Sequence, residues 1–148
     1  MWLEGYSALP VRLAENGDEL KVGQVLLAGT DDHLEMRSDR HLVYTADPVD
    51  YPYRPSVDVF FQSLAATWPR PGMAILLTGM GSDGAQGLLR LRQLGWHTIT
   101  QDQTSCVVYG MPKAAAALGA ACQILPLAQI PAAIVEWVNC AARAAAGD

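Results

Sequence analysis

The feature that most constrains the fold is an apolar strand followed by a glycine-rich turn and an amphipathic helix. The run reads Ala74-Ile75-Leu76-Leu77-Thr78-Gly79-Met80-Gly81-Ser82-Asp83-Gly84-Ala85. Apolar residues before a glycine are typical of a buried strand. The leucines after Ala85 fall on one face of a predicted helix, and Gly95 is expected to end that helix. The turn therefore lies at the carboxyl end of a strand, where open α/β sheets collect ligands and catalytic groups. Asp83 is the first candidate functional residue, although a helix-capping acid would explain it as well.

The order of the remaining elements predicts an α/β fold. Residues 1–47 alternate short apolar runs with turn signals, which indicates a segment rich in strands with at least one β-hairpin. Three prolines interrupt residues 47–55, so we expect an extended loop there and then a helix capped by Ser56. Further along, the pattern predicts strands at 74–78, 97–101 and 122–125 and helices at 85–94, 112–119 and 127–145. We expect a single domain over residues 1–148, with a mainly parallel sheet flanked by helices in a Rossmann-like three-layer arrangement.

Composition and charge exclude several classes of protein. The 148 residues carry a net charge of −5 without any basic cluster, so no nucleic-acid partner is expected. No apolar run approaches the ~20 residues that span a bilayer, and the first residues do not resemble a signal peptide. We therefore expect a cytoplasmic protein without membrane insertion. The three cysteines, Cys106, Cys122 and Cys140, lack CxxC spacing and have apolar sequence neighbours, which predicts small buried thiols and no metal site.

The glycine turn also satisfies a dinucleotide-binding fingerprint. Gly79, Gly81 and Gly84 form GxGxxG, and Asp102 follows Gly84 by 18 residues. However, the carboxylate of Asp83 would lie where such a turn holds a pyrophosphate, and like charges repel. The motif also starts 78 residues into the chain, whereas this fingerprint usually opens the first βαβ unit. We keep dinucleotide binding as a weaker alternative and expect no cofactor.

Three segments of the chain resemble one known family. They are Arg54-Pro55-Ser56-Val57-Asp58-Val59-Phe60-Phe61, Leu76-Leu77-Thr78-Gly79-Met80-Gly81-Ser82-Asp83-Gly84-Ala85 and Ser105-Cys106-Val107-Val108-Tyr109-Gly110-Met111-Pro112. In sequence, order and spacing they resemble the catalytic domain of the chemotaxis protein-glutamate methylesterases of the CheB type. The similarity runs from about Leu9 to Leu127, and residues 53–61 and 109–117 resemble the Wsp-type branch of that family most.

The resemblance implies hydrolysis of glutamyl methyl esters on the cytoplasmic domain of methyl-accepting chemoreceptors, with release of methanol. The family uses a serine nucleophile, a histidine general base and an acid that orients the histidine. By this resemblance Asp83 is the triad acid, and the backbone N–H of Met80 is an oxyanion donor. The resemblance also provides candidate pocket residues, which are His33, Arg54, Gly79, Gly81, Tyr109 and Met111.

The serine and histidine of the family triad have no counterpart in this sequence. No serine lies in a nucleophile turn of the GxSxG kind, and His33, His41 and His97 lie away from the family's histidine position. We therefore expect the C-terminal portion of a methylesterase domain, without a receiver domain and inactive alone. For Asp31-Asp32-His33 we favour a solvated turn over a metal site, because adjacent extended side chains point to opposite faces.

Two further hypotheses remain open. A non-catalytic module that interacts with the receptor is the alternative to an enzyme. Residues missing from the sheet would leave a strand edge uncovered, and such an edge favours self-association. Hydrolysis of a methylated receptor separates the enzyme from the interaction module, and titration with a nucleotide tests the dinucleotide alternative.

Overall fold

The computed structural model describes residues 2–146 and contains two compact units, one ending at Arg70 and the other beginning at Pro71. Each unit has its own strands. Among the described residues no helix combines the length and apolar character needed to cross a membrane.

The first unit contains short strands, a 3-10 helix and one α-helix. Its elements are a 3-10 helix at Trp2–Tyr6, strands β1 (Val11–Leu13), β2 (Val25–Leu27), β3 (His33–Met36) and β4 (Leu42–Thr45), and helix α1 (Val57–Thr67). Strands β1 and β2 pair in parallel, whereas β3 and β4 form an antiparallel hairpin that pairs His33 with Thr45 and Met36 with Leu42. The predicted hairpin is thus confirmed, and β3 is a strand that the sequence patterns did not single out.

Helix α1 begins at the predicted cap. The Ser56 hydroxyl accepts a hydrogen bond from the Val59 N–H at 3.3 Å, which satisfies one of the free donors of the first turn. The helix packs on β3 and buries Val59, Phe61 and Leu64. Phe60 is only partly buried. The buried face of α1 is therefore the side that meets the hairpin.

The second unit alternates strands and helices around a parallel sheet. Its elements are β5 (Met73–Leu76), α2 (Ala85–Gln93), β6 (His97–Gln101), α3 (Met111–Ala117), β7 (Gln123–Leu125), a 3-10 turn (Leu127–Gln129) and α4 (Ile130–Ala146). The strand order is β5-β6-β7 with both pairs parallel, so β6 is the central strand. This confirms the predicted α/β class, and the boundaries lie close to the predicted ones except at the start of the last helix.

Helix α2 packs on strands β5 and β6 of the sheet. Its Leu88 and Leu91 are fully buried, and Ile99 of β6 is fully buried as well. Burial of each of these side chains contributes about 1.5–3 kcal/mol. The helix ends where the sequence predicts, because Gly95 adopts a φ of +86° and its N–H donates to the Arg92 carbonyl at 3.0 Å.

The last helix differs from the prediction at its start. The predicted helix over 127–145 is divided into a 3-10 turn and α4, which begins at Ile130. Pro131 explains this start, because a proline has no N–H to donate within a helix and is tolerated in the first turn. Of the described residues of α4, only Ile130 is buried.

Candidate functional site

The glycine turn, defined as residues Gly79 to Gly84, is bound by main-chain hydrogen bonds to the segment before α3. The Gly79 N–H donates to the Val108 carbonyl at 3.1 Å, and the Gly79 carbonyl accepts from the N–H groups of Gly110 and Met111 at 3.1 and 2.8 Å. The Thr78 hydroxyl donates to the Val108 carbonyl at 3.0 Å and accepts from the Val108 N–H at 2.8 Å. The turn is therefore held by a neighbouring loop at the carboxyl end of β5.

Position 110 requires glycine because the main chain of the loop before α3 lies close to the main chain of the glycine turn. A Cβ on Gly110 would lie 2.6 Å from the Gly79 carbonyl oxygen and 2.9 Å from the Gly81 nitrogen. Both atoms belong to the main chain and cannot rotate away. At Gly79 the corresponding Cβ would lie 2.5 Å from the Met111 sulfur, which belongs to a flexible side chain. Gly110 is consequently the more restrictive of the two positions.

We expect Gly110→Ala to lower the free energy of unfolding of the 148-residue chain by about 1–3 kcal/mol, as overpacking does in a tight contact. Urea unfolding followed by circular dichroism measures this change. Gly5→Ala is the matched control, because a Cβ on Gly5 meets nothing within 4 Å. Equal stability of the two variants would contradict the close contact between the loop and the turn.

The two predicted catalytic positions lie in this turn with opposite exposure. The Asp83 side chain is buried, with 6% of its surface exposed, and it directly precedes Gly84, the N-cap residue of α2. Gly84 has a φ of +85°, a conformation that side chains disfavour. The N-cap position of α2 thus belongs to Gly84 rather than to Asp83.

Met80 presents its side chain to solvent, with 81% of its surface exposed. Within residues 2–146, the main-chain N–H of Met80 donates to no protein acceptor. An unengaged N–H close to the start of a helix is suited to stabilise developing negative charge. The turn thus offers a hydrogen-bond donor at its surface and a carboxylate in its interior.

The candidate pocket residues divide between the two units. Gly79, Gly81, Tyr109 and Met111 belong to the glycine turn or to the segment that binds it, and Gly79 and Tyr109 form a parallel bridge. His33 and Arg54 lie in the first unit. There, the Arg54 Nε donates to the Asp31 carbonyl at 2.9 Å, and its guanidinium lies 3.5 Å from the Asp32 carboxylate.

His33 corrects the expectation of a solvated turn over residues 31–33. It begins β3 and is fully buried, and its ring lies edge-on to Tyr51. Its Nδ1 accepts from the Ser56 N–H at 3.1 Å, and its Nε2 lies 3.2 Å from the Pro48 carbonyl. Both ring nitrogens are thus engaged by the main chain, because the hairpin and the start of α1 enclose the ring.

The other two histidines also have partners outside the turn. The Nε2 of His41 lies 3.2 Å from the Glu19 carboxylate, and the Nε2 of His97 lies 3.0 Å from the Gln123 side-chain oxygen. No cluster of three metal-ligating side chains occurs within the described part of the chain.

The cysteines differ from the sequence-based expectation. Cys106 is partly buried, whereas Cys122 and Cys140 are exposed, so burial of all three thiols is wrong. Apolar neighbours in the sequence did not imply burial, because Cys122 precedes the edge strand β7 and Cys140 lies on the exposed helix α4.

Asp102, the acid of the dinucleotide fingerprint, is engaged by its own loop. One carboxylate oxygen accepts from the Ser105 N–H and hydroxyl, and the other accepts from the Thr104 hydroxyl. The Ser105 hydroxyl, followed by that of Thr104, lowers the pKa of Asp102. Oxygens already bound in this way are less suited to hold a ribose hydroxyl, which disfavours the dinucleotide alternative.

Fold and turn together define a class of α/β domain with a main-chain donor and a buried acid at the carboxyl end of a parallel sheet. The family model described as CheB methylesterase matches residues 1–134. The chain belongs to the CheB methylesterase family.

Individual relatives agree with this assignment. The chain is 55% identical over 134 residues to protein-glutamate methylesterase/protein-glutamine glutaminase 2 of Cupriavidus metallidurans, covering 90% of this chain and 40% of the relative. It is also 55% identical over 135 residues to protein-glutamate methylesterase/protein-glutamine glutaminase 3 of Pseudomonas aeruginosa, covering 91% and 40%. The chain therefore spans about 40% of the length of these curated relatives.

A solved structure has the same fold. The crystal structure of the Thermotoga maritima CheB methylesterase catalytic domain superposes with a TM-score of 0.82 at 34% sequence identity, covering 92% of this chain and 74% of that chain. The predicted resemblance to the CheB-type methylesterases and the predicted fold class are thus confirmed.

Proposed function

We propose that the glycine turn supplies the triad acid and one oxyanion donor of a protein-glutamate methylesterase. The observation that supports this proposal most is the unengaged Met80 N–H in the same short turn as the buried Asp83. These are the two kinds of group that hydrolysis of an ester needs beside a nucleophile and a base.

In the proposed reaction a serine oxygen attacks the ester carbonyl, and a histidine takes the serine proton and later gives it to the leaving methoxide. Asp83 orients that histidine and stabilises its charged form. The Met80 N–H donates to the carbonyl oxygen as that oxygen becomes negative. Water then hydrolyses the acyl-enzyme, and the products are methanol and a glutamate side chain.

The serine and the histidine of this mechanism come from polypeptide other than the 148 residues. His33, His41 and His97 are each engaged as described above, and both nitrogens of His33 bind main-chain groups. A ring held in this way cannot accept a proton from a serine hydroxyl. In this proposal Asp83 acts on an imidazole that another segment provides.

The substrate in this proposal is the methylated cytoplasmic domain of a chemoreceptor, and the site of action is the cytoplasm. The names of the relatives, protein-glutamate methylesterase/protein-glutamine glutaminase, support a glutamyl side chain as the group that reacts.

A chimera tests the proposal. The matching segment of the Cupriavidus metallidurans relative is replaced by this chain, and methanol release is measured from membranes that contain methylated chemoreceptors. We expect turnover within about tenfold of the intact relative, since a displacement smaller than ~1 Å in the turn costs less than about 10²-fold. A folded chimera that binds the receptor but releases no methanol would contradict the proposal and would favour the non-catalytic interaction module.

A further inference from the structure

The side chain of Gln101 connects the exits of two neighbouring strands. Gln101 is the last residue of the central strand β6 and is 1% exposed. Its Oε1 accepts from the Thr78 N–H at 2.8 Å, and its Nε2 donates to the Ser105 carbonyl at 2.8 Å and to the Ser105 hydroxyl at 3.2 Å. Thr78 immediately precedes the glycine turn.

The carboxamide of Gln101 takes the place of a peptide group at a point where the pairing of β5 with β6 has ended. Ladder pairing between β5 and β6 ends at Leu76 and Thr100, so Thr78 lies beyond it. A peptide group in a sheet accepts on one side and donates on the other, and a carboxamide does the same. Gln101 therefore extends the hydrogen bonding of the sheet by one step toward the glycine turn.

Ser105 extends the connection to the third strand. Its hydroxyl donates to the Asp102 carboxylate at 2.5 Å and accepts from the N–H of Leu127, which follows β7. The same loop continues to Val108 and Gly110, which bind Gly79. Two of the attachments of the turn thus depend on Gln101, one directly through Thr78 and the other through Ser105.

We propose that Gln101 is a positioning residue that places the Met80 N–H and Asp83 for ester hydrolysis by holding both Thr78 and the Ser105 loop. This inference rests on the proposed function. Gln101 contacts none of the reacting groups. It acts through the main chain of a turn whose glycines have no side chains to anchor it.

Two substitutions separate the acceptor and donor roles of Gln101. Gln101→Met removes both, so we expect kcat of the chimera to fall about 10²-fold without a change in KM, as for a misplaced catalytic group. Gln101→Glu keeps the acceptor for Thr78 but has no donor for Ser105 while the carboxyl is ionised. The matched control is Gln103→Met, because Gln103 is an exposed residue of the same loop.

The pH profile distinguishes positioning from general loss of stability. When the carboxyl that Gln101→Glu introduces is protonated, it regains an O–H donor for Ser105. Asp102 is the ionisable side chain bound to that serine, and its negative charge favours the protonated form of such a carboxyl. We therefore expect the ratio of Gln101→Glu to unmodified kcat to rise as the pH falls. A ratio that stays constant with pH would overturn the donor role.

Hydrogen exchange tests the same contact without catalysis. In the 148-residue chain we expect Gln101→Met to accelerate exchange of the Thr78 amide about tenfold, the equivalent of one lost hydrogen bond, whereas Gln103→Met leaves it unchanged. Unchanged Thr78 exchange in Gln101→Met, or a kcat equal to that of Gln103→Met, overturns the proposal. If the chimera with Gln101 intact shows no turnover, the proposed function fails, and the exchange result alone decides whether Gln101 holds the turn.

Discussion

We expect Asp83→Asn to lower kcat of the methylesterase chimera about 10⁴-fold, because asparagine cannot hold the histidine in the required tautomer or stabilise its charged form. The substitution keeps the shape of the buried side chain, so the fold of the turn is retained. Methanol release from methylated receptor membranes measures the effect. Near-ultraviolet circular dichroism of the chimera confirms that packing around the turn is retained.

Asp50→Asn provides the matched control for this charge removal. Asp50 is exposed in the loop before α1, and its substitution by asparagine removes the same charge. We expect it to leave kcat unchanged. If Asp83→Asn retained more than a tenth of the activity of the unmodified chimera, the assignment of Asp83 as the triad acid would be wrong.

The second large effect is expected at Met80, where the main chain rather than the side chain is proposed to act. Met80→Pro removes the N–H and should lower kcat by about 10²–10³-fold, the cost of one lost oxyanion donor. Met80→Ala keeps the N–H and removes an exposed side chain, so its kcat should stay within about twofold of the unmodified chimera.

Comparing the two Met80 variants separates loss of the N–H from loss of the side chain and from disturbance of the turn. Thermal unfolding of both proteins shows whether proline disturbs the turn beyond the loss of a donor. Equal losses of kcat in the two variants would show that the thioether side chain carries the contribution. If both variants kept the kcat of the unmodified chimera, groups other than the Met80 N–H would stabilise the oxyanion.

Much of the fold could be predicted because local chemistry and tertiary structure agree. Ser56 caps α1, Gly95 ends α2, and the strand over residues 97–101 occurs as predicted. The two helix ends depend on groups within a few residues of one another. Position 33 shows the limit, since only the pairing of β3 with β4 and the approach of the α1 start enclose the ring of His33.

In the candidate site, too, some residues could be predicted from the sequence and others could not. The glycine turn and Asp83 stand out in the sequence because the glycines and the acid are neighbours. Gln101 and Gly110 were not predicted as site residues, since Thr78, the partner of Gln101 next to the turn, and Gly79, the neighbour of Gly110, lie more than 20 residues away in the sequence. A glutamine at the end of a strand and a glycine before a helix are too common to indicate such contacts. The burial of Gln101 and the space required by a Cβ at Gly110 become visible only in three dimensions.

The sequence by itself determined the class of fold, the strand–turn–helix unit and the family resemblance, because periodicity, glycines and caps act over short distances. Only the tertiary structure decided which main-chain groups of the glycine turn are bound and which stay open. The Gly79 N–H and carbonyl are bound to the loop before α3, while the Met80 N–H has no protein acceptor within residues 2–146. The physical reason is that hydrogen bonds between loops depend on the relative positions of strand ends, which the packing of the whole sheet sets.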